Sequence, residues 1–140
     1  MCSEAGQWMR EYDALIAERA EGLKVFQCEA GAFWVHTYKG HRPLDHYNES
    51  LADIARAQES WRAQDPYHRS YSVSSCATQF YSQMRVIENG IVKGAWSGIT
   101  PTESAARAWA LLRALGAEPG GPADAAALHI RVKALEEHPL

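Results

Sequence analysis

The stretch TQFYSQMRVIENGIVKGAWSGITPTESAARAWALLRALG, residues 78–116, decides the class of fold. Its first part alternates: Phe80, Ser82, Met84 and Val86 share one side of an extended chain, and Tyr81, Gln83, Arg85 and Ile87 the other. That predicts a strand over 78–88 with one well-covered face and one mixed face. Asn89-Gly90 is a strong two-residue hairpin turn, from which 91–97 returns as a second strand. The chemistry then changes. Thr100 reads as a helix cap, Pro101 suits the first helical position, and Glu103 three residues on completes a capping box. Ala105, Ala108, Trp109, Leu112 and Leu115 fall on one helical face, and Gly116 ends the run. A hairpin that feeds a helix needs a layered partner to bury both apolar faces.

Working upstream, 69–76 reads as a further strand. Leu51, Ile54, Ala55, Gln58 and Trp61 trace a helical stripe, capped by Asn48 or Ser50 and ending before Pro66. Residues 40–48, GHRPLDHYN, hold Gly, Pro, Asp and Asn without periodicity and read as a loop. Extended stretches at 23–28 and 33–38 form a hairpin, with Phe33, Val35 and Thr37 on one side and Trp34, His36 and Tyr38 on the other. Trp8, Tyr12, Leu15 and Ile16 mark a first helix that stops at Gly22. Downstream, EPGGP at 118–122 is a hinge before a short helical pattern with Leu128, Val132 and Leu135. The expected fold is α+β: a layered sandwich of a largely antiparallel five-stranded sheet with three amphipathic helices, plus a C-terminal helical extension. The division is a sandwich domain over 1–116 and a hinge with a short helix over 117–140.

A chain of 140 residues fits one such domain. Hydrophobic and charged fractions of 46% and 22% exclude disordered and fibrous classes. A net charge of −3 argues against strong nucleic-acid binding. Cys2, Cys28 and Cys76 lie far apart, which gives neither a disulfide framework nor a zinc pair. No export signal or membrane-length apolar run is read, so a cytoplasmic protein is expected.

DALIAERAEGLK (13–24), HYNESLA (46–52) and ITPTESAARAWALLRALG (99–116) resemble, in order and spacing, the small phage and prophage proteins of the phage ABA sandwich domain family. The likeness spans roughly residues 11–117. It implies a phage origin, a host-cell cytoplasmic setting and a layered fold. It carries no catalytic residues over.

The polar residues offer few catalytic patterns. His36, His41 and His46 recur every five residues beside Asp45, but the spacing matches no helical zinc pair or finger, and no metal or other cofactor is expected. His68-Arg69-Ser70 has the H-x-S form of one half of a two-histidine phosphoesterase, without a second copy. Neither Cys28 nor Cys76 has nucleophile context, and no glycine-rich loop leads into a helix. What remains is a locally basic, aromatic-rich group: Lys39, His41, Arg42, His46, Arg62, Tyr67, His68, Arg69 and Tyr71, residue types that hold partners and phosphates. The expected function is a non-enzymatic accessory protein that binds and blocks a host target. That target would be a host protein or a small nucleotide ligand of a defence system, with the protein acting as a CRISPR inhibitor or a nucleotide-signal sponge. The rival readings are a small histidine- or metal-dependent phosphodiesterase and a phage structural or regulatory accessory. A homodimer through the edge 91–97 or the Leu128, Val132 and Leu135 stripe is also expected.

Overall fold

The computed structural model describes residues 4–117, with side chains from Arg10 onward. The Trp8 side chain, and all but Ala117 of the hinge and helix expected over 117–140, lie outside these. The order is α1 (Glu4–Arg19), β1 (Val25–Gln27), β2 (Phe33–Thr37), β3 (Gly40–Pro43), α2 (Leu51–Ala63), β4 (Arg69–Cys76), β5 (Gln79–Glu88), β6 (Ile91–Thr100) and α3 (Glu103–Ala114).

The class is α+β, but the single five-stranded sheet is corrected to two separate antiparallel sheets, β1-β2-β3 and β4-β5-β6. The difference lies in the segment read as a loop. Gly40–Pro43 is a strand, paired Thr37↔Gly40, His36↔His41, Val35↔Arg42 and Trp34↔Pro43. Breaker residues fit here because of the pattern of the ladder. Leu44 N–H donates to Phe33 C=O, so 33/44 is a hydrogen-bonded pair and 34/43 is not. Pro43 therefore sits where β2 asks for no donor, on an edge strand.

Both sheets turn one face to the helices. Phe33 and Val35 of the first sheet and Ser82 and Met84 of the second are buried, as the alternation predicts. With Tyr12, Leu15 and Ile16 of α1, Ile54 and Trp61 of α2, and Leu111 and Leu112 of α3 they form one core. Ser50 caps α2 and accepts from Asp53 N–H. The start of α3 is corrected by two residues. Thr102, not Thr100, is its cap and accepts from Ala105 N–H, while Thr100 ends β6 and donates to Thr102 C=O at 2.6 Å. At the other end Gly116 has φ +91°, with Gly116 N–H on Arg113 C=O and Ala117 N–H on Leu112 C=O, a Schellman stop. The α3 backbone lies directly on β6. A Cβ at Gly98 would meet Ala106 O at 2.3 Å and Ala110 N at 2.9 Å, so only glycine fits.

No helix among the described residues is long and apolar enough to cross a membrane.

Candidate aromatic and imidazole face

Residues 44–50 join β3 to α2, and a polar network fixes them. Arg10 of α1 donates to Leu44 C=O at 2.7 Å, Asp45 C=O at 2.8 Å and the Asp13 carboxylate at 2.8 Å. Asp13 also accepts from Asn48 Nδ2 at 2.9 Å. Burial pushes the Asp13 carboxyl up to about 6, against the opposing pull of Arg10 and Asn48. On the other flank Arg56 of α2 donates to Glu21 at 2.6 Å and Asp45 at 2.8 Å, while the fully buried Tyr47 hydroxyl donates to Glu21. Burial, then Glu21, pushes the Tyr47 phenol above its ordinary range. Glu21's hydrogen bonds hold Arg56 protonated against its partial burial. With Asp13 and Tyr47 out of reach of solvent, this is a structural pin, and it sets the path of β3.

The sequence-predicted residues divide into two groups in different sheets. Around α2 and β4, Arg62 donates to Glu59 and Tyr71 to the same carboxylate at 3.0 Å. Arg62 holds the Glu59 carboxyl below the usual range. The Arg69 guanidinium stacks 4.7 Å from the centre of the Trp61 ring and donates to Trp61 C=O at 2.9 Å. His68 Nδ1 lies 3.0 Å from Asp65. Each of these polar groups is engaged by a near neighbour, whereas Tyr67 beside them is 93% exposed.

The second group gathers on the solvent face of the first sheet. Residues 26, 34, 36, 41 and 43 share that face, opposite the buried Val25, Phe33 and Val35. Phe26 and His36 stack with ring centres 4.4 Å apart, inclined 34°. His41 meets Phe26 at 5.9 Å and Trp34 at 5.1 Å, both edge-on. At the β2–β3 turn, Lys39 Nζ lies 5.4 Å from the centre of the exposed Tyr38 ring. Cys28 borders the face, its thiol held below the usual range by the turn's amides, Ala32's foremost.

Arg42 leaves this face to pair with Asp45 at 2.9 Å. His46 is also elsewhere: its Nδ1 lies 3.2 Å from Arg10 Nη1 and must accept, because a guanidinium only donates. The histidine–aspartate set weighed in the sequence thus does not assemble. Among the described residues no group of three metal-ligating side chains converges. Phe26 and Trp34 were absent from the sequence-level candidates. The period-two alternation that put Trp34 beside His36 was legible, but the value of that face depended on β3 bringing in His41.

No protein-family model, curated protein or solved structure matches the chain.

Proposed function

We propose that this chain is a non-enzymatic phage or prophage accessory protein that acts by stoichiometric binding, and that the first sheet's solvent face takes a nucleotide-type ligand. In the setting implied by the resemblance to the phage ABA sandwich family, the protein sequesters a nucleotide signal of a host defence system. The observation that carries this reading is the ring cluster of Phe26, Trp34, His36 and His41. Open π faces on a sheet stack bases at roughly 1–3 kcal/mol each. The surrounding charge favours an anion. With Arg42 paired to Asp45, residues 24–41 carry Lys24 and Lys39 against Glu29, a balance of +1 in a chain of −3.

Calorimetric titration with a panel of linear and cyclic nucleotides tests it. A stoichiometric complex is expected, weakened about tenfold in Phe26→Ala or Trp34→Ala, with the ligand recovered intact after denaturation. Turnover of the panel at catalytic protein levels would instead support the phosphodiesterase reading. Absence of nucleotide binding would return the reading to a host protein target or a structural role.

A further inference from the structure

We infer that His36 and His41 form a two-imidazole chelate for a late divalent transition metal, copper(II) foremost, on the solvent face of the first sheet. The inference rests on strand register rather than on the nucleotide reading, although it uses two rings of the same cluster. His36 and His41 are direct partners across the β2–β3 ladder. The hydrogen-bonded 33/44 pair fixes the alternation, so 35/42 and 37/40 are hydrogen-bonded pairs while 34/43 and 36/41 are not. At non-hydrogen-bonded positions opposed Cα atoms are about 4.5 Å apart and the side chains come closest.

Three further observations support a chelate. Both imidazoles lie against the single Phe26 ring, on one side of the sheet. Both residues are exposed, so an ion has access. Their ring nitrogens also lack the commitments of the other described histidines: His46 accepts from Arg10 and His68 faces Asp65, whereas neither the His36 ring nor the His41 ring has a hydrogen bond among the described residues. Two imidazole nitrogen donors and no carboxylate select copper, nickel or zinc over magnesium or calcium. The order of affinities places copper(II) first. Water fills the remaining coordination positions.

The test is titration of the full chain with copper(II) chloride, following both heat and thermal stability, in the unaltered protein and in His36→Gln, His41→Gln and the double variant. A chelate requires both rings, so each single change is expected to weaken this site about tenfold or more and the double change to add little. Losses that add across the two positions would mean independent surface imidazoles and overturn the proposal, as would a double variant that titrates like the original. Electron paramagnetic resonance of the copper-loaded unaltered protein provides a check without mutation. Two equatorial imidazole nitrogens are expected, and one or none would reject the site.

Discussion

Asp13 shows how burial and pairing compete at one residue. Its carboxylate accepts from Arg10 and Asn48, yet it is so enclosed that loss of water wins and its pKa rises from 3.8 to about 6. In the unfolded chain the same group loses its proton near 3.8, so between these values the fold holds more protons than the unfolded state. Stability from this residue is therefore greatest below pH 4, falls as pH rises to about 6, and is level above. The span is on the order of 3 kcal/mol. Urea unfolding at several pH values should show that decline, and Asp13→Asn should flatten it. An unchanged slope in the variant would assign the effect to another group. Tyr47 makes the complementary case. Its hydroxyl gives Glu21 a hydrogen bond in the interior, and Tyr47→Phe should lower stability by about 1.5–3 kcal/mol, read as a fall in denaturant midpoint at constant slope.

At the scale of elements, α3 lies on β6 with no room for a side chain at Gly98. Gly98→Ala would drive a methyl into the Ala106 carbonyl, and neither backbone can retreat without moving its element. A loss of roughly 1–3 kcal/mol or more is expected in thermal unfolding, with the largest chemical-shift changes in β6 and α3. Removing the α3 cap in Thr102→Ala should cost about 1 kcal/mol. Helices, the second-sheet hairpin and the two-sided alternation of 33–38 and 78–88 were legible because period and capping are local. Two errors share a cause. At 40–43 and 100–103 the backbone obeys neighbours distant in sequence or geometry, so Pro43 reads as a breaker where it is a tolerated edge residue. Thr100 likewise reads as a cap where it closes a turn onto Thr102. The candidate site suffered from the first error. Local composition could show a basic and aromatic middle, but only strand pairing separates Arg62, Arg69 and Tyr71, which are engaged internally, from the open set around Phe26.

For the whole molecule, two small sheets share one core that runs from Tyr12 to Ala117. Arg19 of α1 donates to Leu115 C=O at 3.2 Å, tying the first helix to the end of the third. The two sheets should accordingly unfold together in one cooperative transition, checked by agreement of the calorimetric and van't Hoff enthalpies. Pro43 also governs how copies of the molecule can meet. At a non-hydrogen-bonded position the amide of an edge strand points outward, where another chain would seek a donor, and proline has none. The free edge of β3 is thus a poor template for strand addition. A protein that sets half-buried Phe26 and Trp34 beside two exposed imidazoles is thereby guarded against fibril growth along the border of that same surface.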